Sequence, residues 1–241
     1  KLNLLSTITR HDILNQMTVL VGNLDLLEEP GSDLQLIDYI SKAKKSAGTI
    51  TRQILFTRDY QTIGIQSPQW QNLSETVSRA AGMLDTGMVR IEMDLEGIEI
   101  FADPLLEKVF FNLIDNSLRY ARGLTRISIQ AAYENAGMVL VYLDDGEGIP
   151  PEEKENIFLR KYFTNTGFGM FLSREILSIT SLTIRETGEF GSGARFEIRV
   201  PKGSYRSVLK KKGVSGLSEP ADDTGTHEPA YLNDEGPDGE E

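Results

Sequence analysis

Met138-Val139-Leu140-Val141-Tyr142-Leu143 runs directly into Asp144-Asp145-Gly146-Glu147-Gly148-Ile149-Pro150. The apolar run reads as a strand, and it delivers a carboxylate at its end. Gly146 and Gly148 then allow a backbone to approach a ligand closely. Further on, Thr166-Gly167-Phe168-Gly169-Met170 opens a helix to about residue 180. The free N–H groups and dipole of a helix start favour phosphate. Neither stretch is a Walker P-loop, because the chain contains no G-x-x-x-x-G-K-[ST]. A third element, Asn112-Leu113-Ile114-Asp115-Asn116-Ser117-Leu118-Arg119-Tyr120, lies on a helix. Asn112, Asn116 and Arg119 stand at i, i+4 and i+7 on one face. Two amides and a guanidinium there suit a metal-bound polyphosphate.

Around these stretches the texture is mixed α and β. A helix is expected near 73–85 and a strand near 89–95. Asp103-Pro104 should cap a helix running to about Ala121. Strands follow near 125–133 and 137–143, and a closing hairpin at 181–200. Helices interleaved with antiparallel strands predict an α/β sandwich over residues 71–201. Residues 59–70, with Ile63-Gly64-Ile65-Gln66-Ser67-Pro68, carry no helical period and read as a linker.

Residues 1–58 have a different character. Ile13, Met17, Leu20, Leu24 and Leu27 recur at spacings of 4, 3, 4 and 3, a heptad stripe on a helix over about 3–29. Pro30 and Gly31 break it, and a second helix follows to about 58 with Ile37, Ile40, Ala47 and Ile54 on one side. Two long helices and a short turn make an antiparallel hairpin. Its apolar stripe is too large for one hairpin to cover, which predicts a dimeric four-helix bundle.

His11 stands apart from that stripe. At about 100° per residue, the stripe residues fall between roughly 160° and 240° from His11, on the opposite side of the helix. Asn15 lies about 40° away, on the side of His11. An imidazole presented to solvent beside Asp12 and Asn15 is a good nucleophile near neutral pH. A neighbouring carboxylate can hold its other ring N–H and support the cation formed on attack.

Composition narrows the chemistry. The 241 residues hold no Cys and two His, His11 and His227. Thiolate zinc sites, disulfide scaffolds, cysteine nucleophiles and multi-histidine metal sites are therefore excluded. Of the net charge of −11, nine acidic residues lie between Gly213 and Glu241 with no Lys or Arg among them. The tail, residues 202–241, reads as acidic and disordered. The body is near neutral and carries no basic stripe, so no nucleic-acid partner is expected. No run of 18 apolar residues occurs and no signal peptide opens the chain. Lys1 begins inside a helical pattern, which reads as a fragment of a longer protein.

Taken together and in this order, the elements resemble the catalytic core of a sensor histidine kinase: a dimerisation and phosphoacceptor hairpin, then a Bergerat-type ATP-binding domain. Arg10-His11-Asp12-Ile13-Leu14-Asn15 resembles the H-box and Asn112–Tyr120 the N-box. Asp144–Ile149 resembles the G1 box, Ile157-Phe158 the start of the F-box and Gly167-Phe168-Gly169 the G2 box. Gly191-Ser192-Gly193-Ala194-Arg195-Phe196 resembles the last glycine-rich turn. The wording of the H-box is similar to that of kinases common in methanogenic archaea.

The resemblance implies ATP and Mg²⁺ as cofactors, a homodimer, and a response regulator as partner. His11 would be the phosphoacceptor, Asp12 the base or orienter of its ring, and Asn15 the holder of the water that removes phosphate from a regulator aspartate. Asn116 would bind Mg²⁺ and Asp144 would accept from the adenine amino group. Gly146, Gly148, Ile149, Gly167, Phe168 and Gly169 would line the nucleotide. Asn112, Arg119 and Tyr120 would complete its surroundings, the last two flanking phosphates and base. The fragment would be the cytoplasmic portion of a sensor that upstream membrane segments can anchor.

Two departures carry consequences. Only Thr164, Asn165 and Thr166 separate Phe163 from Gly167, where the family has a flexible lid. A short lid excludes less water and holds ATP more weakly. Ala194 stands where a threonine is frequent. The alternative function is accordingly a kinase-weak nucleotide-binding module that acts mainly as a regulator phosphatase or dimeric scaffold. An ATP-hydrolysing chaperone or repair enzyme of the same superfold is disfavoured, because those carry a glutamate where this chain has Asn112. An amide cannot act as general base.

Overall fold

The computed structural model describes residues 2–27, 33–159 and 168–208, with side chains from Ile13 onward. The turn at 28–32, the segment 160–167 containing Gly167 and the short lid, and the tail from 209 lie outside the described residues. His11 and Asp12 are described as helical positions only.

Helices α1 (Leu2–Asp25) and α2 (Asp33–Thr62) form the expected antiparallel hairpin. The packed face of α1 is not the predicted stripe but one slightly rotated from it. Ile13, Gln16, Leu20, Asn23 and Leu27 are half-buried against α2, whereas Met17 and Leu24 are exposed. Ala43, Ser46, Ile50, Gln53 and Phe56 are the buried residues in the corresponding part of α2. Small Ala43 and Ser46 lie on the buried face of α2, and larger apolar groups of α1 are left on a second, outward face.

The helix α2 outruns its predicted end at 58 by a full turn. Tyr60 stacks on Phe171 at 6.1 Å between ring centroids, and Phe56 on Phe168 at 4.1 Å. Asp59, buried, lies 3.4 Å from Lys108. These tertiary partners extend a helix that local sequence would have ended.

Two sheets follow. The larger has the order β2-β4-β5-β7-β6, built from β2 (Arg90–Asp94), β4 (Arg126–Glu134), β5 (Gly137–Asp144), β6 (Thr183–Glu186) and β7 (Arg195–Pro201). β2 pairs with β4 in parallel and every other pair is antiparallel. Helices α3 (Leu73–Gly82), α4 (Leu106–Tyr120) and α5 (Phe168–Ser178) complete the predicted α/β sandwich. The buried side of α4 (Leu106, Val109, Phe110, Leu113 and Ile114) joins Ile127, Ile129, Leu140, Tyr142, Phe196 and Ile198 in one apolar core.

The second sheet was not anticipated. It has the order β1-β3-β8, from β1 (Gln69–Asn72), β3 (Ile98–Ala102) and β8 (Tyr205–Ser207). Its β1 takes the end of the expected linker, and β8 lies inside the stretch expected to be disordered. Both pair antiparallel with β3, which supplies the hydrogen bonds that these short segments lack alone. The ordered chain therefore extends past 201. No described helix is long and apolar enough to cross a membrane.

Candidate functional site

Asp144 ends β5, the most buried strand of the larger sheet, and is itself buried. Its Oδ1 accepts from the backbone N–H of Gly146 at 3.1 Å and of Ala194 at 2.9 Å. Its Oδ2 accepts from the Ser117 hydroxyl at 2.6 Å. An ionised carboxylate only accepts, so Ser117 must point its proton at Asp144. Ser117 Oγ can then only accept from Tyr142, whose hydroxyl lies 2.8 Å away and 3.2 Å from the Leu113 carbonyl. Burial pushes the Tyr142 phenol well above its ordinary range, which keeps it a donor. A carboxylate held by three donors is fixed in direction, and one acceptor position is left for a ligand.

Glycine is required around this carboxylate. Gly193 has φ +98° and Gly148 φ +81°, conformations that side chains disfavour. A Cβ at Gly193 would run into the Asp144 carbonyl, and one at Gly146 into Ala121. The buried Glu186 carboxylate shapes the same turn, accepting from the N–H of Gly188 at 3.0 Å and of Arg195 at 3.2 Å. Ala194, lacking a hydroxyl, still serves Asp144 through its N–H.

The adjacent Asp145 turns away and clamps the start of β4. It accepts from Thr125 N–H at 2.8 Å, Thr125 Oγ1 at 2.5 Å and Arg126 N–H at 2.9 Å. The Thr125 bonds, first through the hydroxyl and then through the backbone, are the main cause that draws its carboxyl down to about 2. A lowered native value means that the unfolded chain binds the proton first as pH falls. The clamp therefore stabilises above about pH 4 and is lost progressively toward pH 2. Asp145→Asn is expected to flatten the fall of melting temperature in that window, as read by circular dichroism at a series of pH values.

On α4 the polar face is divided by role. Asn112 is buried, and its Nδ2 donates to the Gly169 carbonyl at 2.9 Å and to Ser173 Oγ at 3.1 Å. Both of its donors are thus spent on positioning the start of α5. Gly169 fits closely there, since a Cβ would lie 3.2 Å from Asn112 Cγ. Arg119 Nε donates to Asp115 Oδ1 at 2.7 Å. The Asn116 side chain makes no hydrogen bond to another described residue. Tyr120 is exposed, and Ile149 is half-buried beside the core.

These α4 residues open onto a cavity of about 740 Å³ whose other wall is the helical hairpin. Asn112, Asn116, Arg119, Phe168 and Gly169 line one side. Asn15, Gln16 and Val19 of α1 line the other, with Lys45, Thr49 and Arg52 of α2. Asn15 stands one helical turn from His11. The sequence-predicted residues therefore fall in two adjoining places: Asp144, Gly146 and Gly148 at the sheet end, and Asn112, Asn116, Arg119 and Asn15 around the cavity. Ser117, Tyr142 and Arg52 were not singled out from sequence. Ser117 lies off the Asn112–Asn116–Arg119 face, and Tyr142 reads as core within an apolar strand.

Residues 102–204 match the family model described as histidine kinase-, DNA gyrase B-, and HSP90-like ATPase. The chain is 27% identical over 217 residues to the sensor protein KdpD of Escherichia coli K12, covering 83% of this chain and 24% of KdpD. It thus spans about a quarter of that relative's length. The histidine kinase ThkA, solved in complex with the response regulator protein TrrA, superposes with a TM-score of 0.62. That match has 19% identity over 82% of this chain and 60% of the other. Full-length ShkA in complex with AMPPNP gives a TM-score of 0.55 at 16% identity, covering 83% and 45%. At these identities the two structures establish a shared fold.

Proposed function

We propose that this chain, which carries a sensor histidine kinase catalytic core, transfers the γ-phosphoryl group of ATP to His11 and passes it to an aspartate of a response regulator. The observation that carries this reading is the shared cavity. One chain lines it with Asn15, a turn from His11, and with Asn112, Asn116 and Arg119 from the nucleotide domain. The helix that carries His11 and the nucleotide domain thus border a single space, as in-line transfer needs.

In this reading Asp144 accepts from the adenine amino group through its remaining acceptor position. Gly146, Gly148, Ile149, Gly167, Phe168 and Gly169 surround the nucleotide, with Arg119 and Tyr120 beside phosphates and base. Asn112 acts by holding Gly169 and Ser173 in place. Asn116 would hold Mg²⁺, which when bound neutralises polyphosphate charge; its cavity-lining amide without a protein partner among the described residues fits a small oxygen ligand set. Asp12 takes up the proton that the His11 ring sheds on attack. The test is incubation with γ-labelled ATP, which should give acid-labile, base-stable label on the protein. Acid-stable label, or none, would overturn the kinase reading. The short segment Thr164–Thr166 favours the second reading, a kinase-weak module that acts chiefly as a regulator phosphatase.

A second copy of the chain would cover the outward face of the hairpin. Leu14, Met17, Val21 and Leu24 are exposed at spacings of 3, 4 and 3, alongside exposed Ile37, Ile40 and Ile54 of α2. Such a stripe is the seam of a four-helix bundle. Leu24 is 47% exposed, whereas Leu20 packs within the hairpin, so Leu24→Glu separates association from folding. Light scattering should give a dimeric wild type and a Leu24→Glu monomer of unchanged helicity. A wild-type monomer at micromolar concentration would refute the bundle. In this reading the chain is the cytoplasmic portion of a sensor.

A further inference from the structure

We propose that Arg52 of α2 is a catalytic residue of the phosphoryl transfer, stabilising the migrating group from the hairpin side. The proposal rests on the kinase reading and adds to it a residue that the sequence motifs do not include.

The first ground is charge. The cavity between hairpin and nucleotide domain is lined by five cations, Lys42, Lys45, Arg52, Lys108 and Arg119, against two carboxylates, Asp59 and Asp115. This surplus occurs in a chain of net charge −11. Asp59 is taken by Lys108 at 3.4 Å and Asp115 by Arg119 at 2.7 Å, and Lys42 pairs with Asp38 at 2.6 Å. Lys45 and Arg52 have no carboxylate partner among the described residues. Lys45 is exposed to solvent, whereas Arg52 is half-buried. A partly desolvated guanidinium without a carboxylate is costly unless an anion visits it.

The second ground is position. Arg52 does not reach outward but folds back along its own helix. Its Nη2 donates to Thr49 Oγ1 at 3.0 Å, and its Nη1 would lie 3.5 Å from a Cβ built at Gly48. The guanidinium therefore sits on the level of Gly48 and Thr49, a turn before its own Cα, in the direction helical side chains lean. With the helix ends Asp25 and Asp33 taken as level, equal steps along the two helices bring the helical position of His11 opposite Ala47. The charged end of Arg52 and the acceptor position thus stand at nearly the same height of the hairpin, at about 1.5 Å of rise per residue. The absence of a side chain at Gly48 leaves the room in which the guanidinium lies.

The chemistry asks for a cation there. The bond from the γ-phosphorus to the β,γ-bridging oxygen breaks, and its electron pair leaves with ADP. The lone pair of a His11 ring nitrogen forms the new P–N bond, and the other ring nitrogen gives up its proton. Between the two, the phosphoryl group is loosely bonded to both, with its charge spread over three equatorial oxygens. A planar guanidinium offers those oxygens two donors in a fixed fork. Stabilisation of this kind acts at the crossing and not on bound ATP, so it raises kcat and leaves the affinity for ATP alone.

The test compares Arg52→Gln, Arg52→Lys and wild type in the dimeric protein. Autophosphorylation would be measured over a range of ATP concentrations, with nucleotide binding followed separately by a fluorescent ATP analogue. Lys44→Ala, which removes a neighbouring cation that does not line the cavity, serves as the charge control. Arg52→Gln is expected to lower kcat at least about tenfold, with KM for ATP and analogue affinity within about twofold of wild type. Arg52→Lys should recover part of the rate, and Lys44→Ala all of it. Wild-type kcat in Arg52→Gln would overturn the proposal. So would a fall in kcat shared equally by Arg52→Lys, or one matched by an equal loss of analogue binding, because the charge would then play no part in the transfer step. Failure of the underlying kinase reading is distinguishable, since wild type itself would then give no acid-labile label.

Discussion

Asn15→Ala is expected to keep autophosphorylation and to lose most dephosphorylation of the regulator, whereas Asp12→Asn does the reverse. In the proposed reading the two residues flank one reacting group on α1 and serve chemically opposite needs. Forward transfer requires the His11 ring in line with the γ-phosphorus and a carboxylate to take the proton from its other nitrogen. Removing such a base costs on the order of a hundredfold or more in rate. Hydrolysis of an aspartyl phosphate needs no histidine nucleophile, only a water held in line. Asn15 lines the cavity one turn from His11. Its amide can orient water without deprotonating it, which suffices for a reactive acyl phosphate. Both rates would be read on the same preparations with a regulator supplied. Dephosphorylation at the wild-type rate by Asn15→Ala would withdraw the reading of this helix and leave the ATP site standing.

The second large effect concerns Asp144. Asp144→Asn is expected to weaken nucleotide binding tenfold or more, a loss of about 1.4 kcal/mol or greater, and to leave the fold intact. An asparagine can keep its oxygen toward the N–H groups of Gly146 and Ala194 and turn its amide toward Ser117. Ser117 would then accept from that amide and turn its own proton to Tyr142, whose single hydroxyl proton is released from Ser117 to the Leu113 carbonyl. The buried network is satisfied in either direction, so the substitution removes an acceptor and not the packing. Calorimetric titration with an ATP analogue, alongside a melting curve, separates the two. Unchanged affinity at unchanged stability would remove Asp144 from the nucleotide site.

Much of this was legible in local sequence because its determinants are local. The apolar run Met138–Leu143 with a carboxylate at its end, and the i, i+4, i+7 amides and guanidinium of α4, are patterns that periodicity exposes. The β8 strand is not: Tyr205-Arg206-Ser207 has no period of its own. It becomes a strand because the edge of β3 pairs with it, while Arg206 lies over Trp70 at 4.3 Å and pairs with Glu99 at 2.6 Å. The final turn of α2 likewise exists through Phe168, Phe171 and Lys108, more than a hundred residues away for the two rings. Ser117 reads as a neutral helix residue until Asp144 and Tyr142 are brought to it across 27 and 25 positions. Asn112 was grouped with the phosphate face by its spacing, although its amide is committed to Gly169 and Ser173. The heptad stripe of α1 foretold apolar surface correctly but not which part turns inward, since that depends on the face α2 presents to it and not on the period of α1 alone.

The central claim, that phosphate from ATP arrives on His11, is tested most directly by locating it. The wild-type chain and His11→Ala would each be incubated with ATP and Mg²⁺, digested at alkaline pH to preserve P–N bonds, and mapped by tandem mass spectrometry. Removing one ring from this helical position should leave analogue binding and dimerisation unchanged. The account predicts a phosphorylated peptide spanning His11 in wild type and no phosphorylated peptide in His11→Ala. Phosphate on any other residue, His227 included, or undiminished incorporation in His11→Ala, would contradict it.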